Sequence, residues 1–122
     1  MESLNKMTVV VKDYGFGIKN VIIDEPKTYN SLSFKTLNML IDAFKKLERD
    51  NKTRVIILSG NGKGFSAGHN LKEVKNLKVR SKYLKLFNLC SKLMLNIVEG
   101  RKPVIAKVHG SAFAAGCQLA AS

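Results

Sequence analysis

The sequence predicts an α/β fold in which strands are followed by covering helices, and three observations carry that prediction. Short β-branched runs alternate with longer segments whose apolar residues recur at helical spacing. Glycine-rich turns separate the two, most densely between positions 59 and 68. The resulting order, strand-strand-helix, strand-loop-helix, strand-loop-helix, repeats one supersecondary unit without a strict sequence repeat.

Met7 to Val11 and Ile18 to Ile23 are the first β-branched runs, with the turn residues Asp13-Tyr14-Gly15-Phe16-Gly17 between them, so they read as a hairpin or two successive strands. Asp24-Glu25-Pro26 breaks the second strand. Ser33 then offers an N-cap to a helix over Phe34 to Arg49, whose Phe34, Leu37, Leu40, Ile41, Phe44 and Leu47 form an apolar stripe. Arg54 to Leu58 reads as a buried strand, followed by a loop from Ser59 to Gly68. Asn70 is placed to cap a second helix, with a stripe through Val79, Tyr83, Leu86, Phe87, Cys90, Met94 and Ile97 that Gly100 ends. Pro103 opens a further apolar strand, Val104 to Val108.

After Gly110, the small residues Ala112, Ala114, Ala115 and Gly116 lead into Leu119 and Ala120 at helical spacing, and that pattern is still running at Ser122. An uncapped helix with an uncovered apolar face predicts a partial domain over 1–122, incomplete at its C-terminus and poorly soluble or partly unfolded alone.

A length of 122 residues bounds the chain to one domain, and 45% hydrophobic with 25% charged residues is the composition of a soluble globular protein. The charge of +12 favours anionic partners, among which nucleic acid, an anionic membrane and a phosphorylated ligand are the classes to separate. The lysines are scattered over amphipathic segments, with no basic run interleaved with aromatics, which argues against nucleic acid. No apolar run nears the ~18 residues of a membrane span, and the N-terminus shows neither a signal-peptide core nor the arginines of a mitochondrial presequence. Cys90 and Cys117 lack the spacing of zinc or redox pairs and read as reduced, packed thiols. The expectation is a soluble intracellular protein with no metal and no permanently bound cofactor.

Two loops share one design, a buried strand, a turn of small residues and a helix start. They are Gly64-Phe65-Ser66-Ala67-Gly68-His69-Asn70-Leu71-Lys72-Glu73 and Val108-His109-Gly110-Ser111-Ala112-Phe113-Ala114-Ala115-Gly116-Cys117-Gln118-Leu119. The first N–H groups of a helix have no intrahelical acceptor and lie at its positive end, so each loop can present a donor to developing negative charge.

These loops carry a family resemblance. Phe65-Ser66-Ala67-Gly68-His69-Asn70-Leu71 resembles a signature of the enoyl-CoA hydratase/isomerase, or crotonase, superfamily, and Pro103 to Gly110 with Ala114-Ala115-Gly116-Cys117-Gln118-Leu119 resembles a second. Pro26-Lys27-Thr28-Tyr29-Asn30-Ser31-Leu32 is similar to a third element, a proline-to-asparagine turn, and all three stand in family order. The resemblance implies a crotonase-like spiral of ββα turns, truncated before its later turns and its C-terminal helical region, and a homotrimer or dimer of trimers for the full-length protein. It implies an acyl-CoA thioester as partner, with coenzyme A entering as part of the substrate, and a mitochondrial location.

By the same resemblance, the backbone N–H groups of His69 and Ala115 form an oxyanion hole around the thioester oxygen. Lys27, Tyr29, Ser66, Ala67 and Lys72 then lie along the pantetheine and nucleotide. Several residues carry a second reading. The His69 imidazole is also a candidate base, Lys72 reads equally as a solvated helix residue, His109 as a turn residue, and Asn30 as the holder of its turn rather than a substrate contact.

Two positions depart from the family pattern. Gln118 stands where hydratases of the superfamily have the first of two catalytic glutamates, the second falling beyond Ser122, and Asn70 stands where an aspartate is usual. A carboxamide can orient water but cannot accept its proton. Acyl-CoA binding with thioester polarisation is therefore the better-supported function, with hydration doubtful and a non-catalytic acyl-CoA-binding or subunit-interaction protein as the alternative. A remote rival is a serine hydrolase, because Gly64-Phe65-Ser66-Ala67-Gly68 satisfies G-x-S-x-G, yet no aspartate follows Ser66 to complete a triad.

Overall fold

In the computed structural model, which describes residues 7–69, 75 and 80–110, β-branched segments form a four-stranded sheet. The strands are β1 (Val9–Gly15), β2 (Ile18–Ile23), β3 (Val55–Gly60) and β4 (Val104–Lys107), in the spatial order β1-β2-β3-β4. β1 and β2 are antiparallel, as a hairpin requires, whereas β2, β3 and β4 run parallel. Parallel neighbours need crossovers. The two helices supply them, α1 (Phe34–Arg49) between β2 and β3 and α2 (Arg80–Glu99) between β3 and β4. The α/β class and its strand-strand-helix opening are as the sequence predicts, while the helix expected after Gly110 lies outside the described residues.

The ladder puts Val9, Val21, Ile23, Ile56 and Leu58 on the face that meets the helices, where all five are buried. From α1, Leu37, Leu40, Ile41, Phe44 and Leu47 pack onto them, and from α2 come Leu86, Cys90 and Leu93. Burial raises the Cys90 thiol above its ordinary pKa and keeps it a packed, protonated group. The α1 boundaries match the sequence reading because the cap is made: the Ser33 hydroxyl accepts from the Thr36 N–H at 3.2 Å. In α2 the seam runs through Leu86, Cys90 and Leu93, whereas Phe87 is 47% exposed and flanks it.

Strand ends differ from the sequence reading. β1 continues to Gly15 because Asp13 stays in the ladder, fixed by the Lys19 ammonium at 2.9 Å and the Gly15 N–H at 2.8 Å, so the turn shrinks to Phe16-Gly17 after a bulge. β3 runs two residues beyond Leu58, since Ser59 and Gly60 still pair with Ile22 and Ile23. The glycine loop therefore begins at Asn61.

α1 ends at Asp50, whose N–H donates to the Lys46 and Leu47 carbonyls. The Lys102 ammonium also reaches the carbonyls of Leu47 and Asp50, tying the approach to β4 onto the end of α1. The Asp50 carboxylate accepts from the Thr53 hydroxyl at 2.7 Å and the Lys52 N–H at 3.1 Å, and these bonds hold its pKa below the ordinary value. A carboxylate with a depressed folded pKa adds stability that is present above the unfolded value of about 3.9 and lost as pH falls through the lower folded value. Asp50→Asn should thus flatten the loss of stability below about pH 4 relative to the wild type, as read by urea unfolding across an acid series. Parallel acid limbs for the two proteins would contradict this role.

Candidate functional site: the glycine loop and its clamp

The loop from Asn61 to His69 leaves the C-terminal end of β3, where open α/β sheets place ligands. What shapes it is the turn before α1. A short 3-10 helix, Pro26–Thr28, is followed by Tyr29 and Asn30, both in the left-handed region at φ 54° and 55°. Asparagine tolerates that conformation better than most residues.

Asn30 is fully buried, with 0% exposure, and each hydrogen of its amide is used. Its Oδ1 accepts from the Glu25 N–H at 2.8 Å, while its Nδ2 donates to the Asn61 carbonyl at 2.7 Å and the Gly64 carbonyl at 3.0 Å. Its own carbonyl accepts from the Ser66 hydroxyl at 2.8 Å. One residue, through its side chain and its own carbonyl, thereby fixes the start, middle and end of the segment between Asn61 and Ser66. Gly60 completes the fit by size, because a Cβ there would lie 2.4 Å from the Phe65 carbonyl oxygen and 2.7 Å from Asn30 Nδ2.

Backbone pairing finishes the arrangement. The Ala67 N–H donates to the Tyr29 carbonyl at 2.9 Å, the Leu32 N–H to the Gly68 carbonyl at 2.6 Å, and the Gly68 N–H to Ser66 Oγ at 3.2 Å. Of the three consecutive donors at 67, 68 and 69, two are therefore taken. Among the described residues, nothing accepts from the His69 N–H. The His69 imidazole packs edge-on against Phe87 of α2, with ring centroids 5.2 Å apart at 85°, and its Nδ1 is buried without a described partner.

The structure thus brings together five of the sequence-derived candidates. Lys27 and Tyr29 stand exposed on the turn, and Ser66, Ala67 and His69 lie on the loop bonded to it. Ala115, Gln118 and Lys72 lie outside the described residues, as does Asn70. Ser66 is 1% exposed, and its hydroxyl proton is directed at the Asn30 carbonyl, whereas a nucleophilic serine needs a base as its acceptor. Phe87 and the bond from His109 to the Gly62 carbonyl are contacts the sequence reading did not anticipate. Among the described residues, no group of three or more His, Cys, Asp or Glu side chains is placed to hold a metal, and no helix is long and apolar enough to cross a membrane.

A mixed sheet with parallel βαβ connections and a clamped glycine loop at the strand ends defines the class as α/β, and comparison with known proteins narrows it. The enoyl-CoA hydratase/isomerase family profile matches residues 14–122, and the chain belongs to that family. It is 42% identical over 106 residues to the human enoyl-CoA hydratase domain-containing protein 3, mitochondrial, a match covering 87% of this chain and 35% of the relative. The crystal structure of that human protein superposes with a TM-score of 0.87 at 38% identity, over 93% of this chain and 44% of that one. A Mycobacterium smegmatis enoyl-CoA hydratase superposes with a TM-score of 0.90 at 39% identity, over the same shares. The architecture is the crotonase fold, and the chain spans less than half the length of these relatives.

The clamp makes a direct prediction. Asn30→Ala leaves the Asn61 and Gly64 carbonyls and the Glu25 N–H without their partner, at about 1–3 kcal/mol for each group that is buried. It also puts alanine, which lacks asparagine's tolerance of the left-handed region, at φ 55°. Chemical denaturation should show a loss of about 2 kcal/mol or more, with Asn30→Asp no milder because a carboxylate would face two carbonyls. A loss under about 1 kcal/mol would remove Asn30 from its central place.

Proposed function

We propose that the protein binds an acyl-CoA thioester and polarises its carbonyl between the backbone N–H groups of His69 and Ala115. The observation that carries this reading is the His69 N–H, which has no acceptor among the described residues while Ala67 and Gly68 are satisfied, and which is held on a loop that Asn30 fixes in place. When a proton leaves the carbon beside a thioester, or a nucleophile adds to its conjugated double bond, negative charge gathers on the carbonyl oxygen. Two fixed N–H donors aimed there stabilise that charge without having to reorganise, and loss of one such donor elsewhere costs about 10²–10³ in rate.

In this reading, Lys27 and Tyr29 meet the nucleotide and pantetheine from the exposed turn, with the Ser66 and Ala67 backbone beside them and Lys72 near the phosphates. Coenzyme A arrives with the substrate, and no further cofactor is needed. Membership of the family and the names of the relatives support enoyl-CoA hydratase/isomerase-type chemistry. Gln118 supports a limit on it, because its amide can hold a water in place but cannot take the proton. A non-catalytic acyl-CoA binder is the second reading, favoured by that same residue. The proposed setting is mitochondrial, after the relatives' names, and the assembly is a homotrimer or dimer of trimers.

Calorimetry with acetyl-CoA should detect binding at low salt that weakens as salt rises, because the lysine surplus faces a triply phosphorylated nucleotide. Lys72→Ala should weaken it by up to about fivefold, the scale of one exposed charge pair, and flatten the salt dependence. Absence of any acyl-CoA binding would overturn the proposal. Gln118→Glu, in a chain extended to its relatives' length with the second carboxylate present, should raise crotonyl-CoA hydration by about 10²–10⁴. An unchanged rate would show that position 118 does not limit the reaction.

A further inference from the structure

The glycine loop is held from a second side. His109 lies just after β4, and its Nε2 sits 2.6 Å from the Gly62 carbonyl oxygen, 47 residues away in sequence. A carbonyl oxygen can only accept, so Nε2 carries the hydrogen. Next in the chain, Gly110 has φ +62° and lies against the same loop, where a Cβ would fall 2.1 Å from the Lys63 carbonyl oxygen. Asn30 holds the carbonyls of Asn61 and Gly64 from the other side. Four consecutive peptide groups, 61 to 64, are therefore gripped between one asparagine and the His109-Gly110 pair. Nothing within either loop alone would fix their mutual placement.

We propose that His109 is a positioning residue that sets the end of β4 in register with the glycine loop, so that the chain leaves Gly110 against the segment that carries the donor at His69. This rests on the acyl-CoA reading above. His109 touches no ligand in this account. It acts through the Gly62 carbonyl, and the absence of a side chain at Gly110 lets the two loops approach closely enough for the bond to form. The bond holds the loop that ends in the His69 donor, so its loss should alter carbonyl recognition more than coenzyme A binding.

The test uses His109→Ala and His109→Gln in the full chain, the glutamine having an amide nitrogen at a similar reach. Two quantities are read, amide hydrogen exchange over residues 61–69 and the ratio of acetyl-CoA to free coenzyme A affinity by calorimetry. The alanine variant should speed exchange by about three- to tenfold, the range expected for one hydrogen bond, and lower the affinity ratio by a similar factor. Free coenzyme A binding should stay near wild type, and the glutamine variant should restore both readouts. Unchanged exchange, an unchanged ratio, or no rescue by glutamine would each overturn the positioning role. If the wild type binds coenzyme A and acetyl-CoA equally well, or neither, the acyl-CoA reading fails instead, and exchange alone then judges the clamp. Should the alanine variant melt early, His109→Leu, which keeps the bulk but has no hydrogen to donate to the Gly62 carbonyl, is read in its place with the same expected and overturning results.

Discussion

A single buried amide organises this end of the molecule. Asn30 has one acceptor and two hydrogens facing inward, and the three are spent on three separate peptide groups, of Glu25, Asn61 and Gly64. Leaving the buried Gly64 carbonyl unpaired would cost more than an ordinary hydrogen bond returns, and this fastens the turn and the loop to each other. Left-handed backbone at Tyr29 and Asn30 aims the amide at the loop, and Gly60 leaves room for it. From that one constraint follow the Ser66 bond, the pairing of Ala67 and Gly68 with the turn, and a His69 N–H with no acceptor among the described residues.

The hydrophobic core supports this arrangement without entering it. The seam of α1 and α2 over Val21, Ile23, Ile56 and Leu58 fixes where β2 and β3 end, and both the turn and the loop start from those ends. α2 makes one further contribution, the Phe87 edge against the His69 ring. An imidazole held by an aromatic neighbour keeps the residue, and with it the adjoining peptide, in one orientation. Lys102, bound to the end of α1, anchors the chain just before β4, and His109 ties it again just after.

Much of the fold was legible because it is local. The Ser33 cap and the spacing from Phe34 to Leu47 mark α1 to the residue, and β2 is bounded by a turn and a proline. In α2 the period was legible but its phase was not, since Phe87 and Leu86 both fit a helical stripe and only the partner at His69 separates them. The end of β1 was hidden because Gly15, a turn residue in isolation, is held in the ladder by a bulge. At the site, the motifs of residues 26–32 and 65–71 were readable as segments, and Asn30 as a turn holder. The side-chain bonds that tie the glycine loop to the turn and to the end of β4 span 31 to 47 residues, and no local pattern encodes them.

The central claim is that a thioester oxygen meets fixed backbone donors, one of them at His69. Isotope-edited infrared spectroscopy of bound acetyl-CoA, labelled at the thioester carbonyl, reads that meeting directly, because hydrogen bonding to the oxygen weakens the C=O bond. The account predicts that the labelled band moves to lower frequency on binding and sharpens into a single environment. A bound ligand whose carbonyl band stays at its position in water would contradict it.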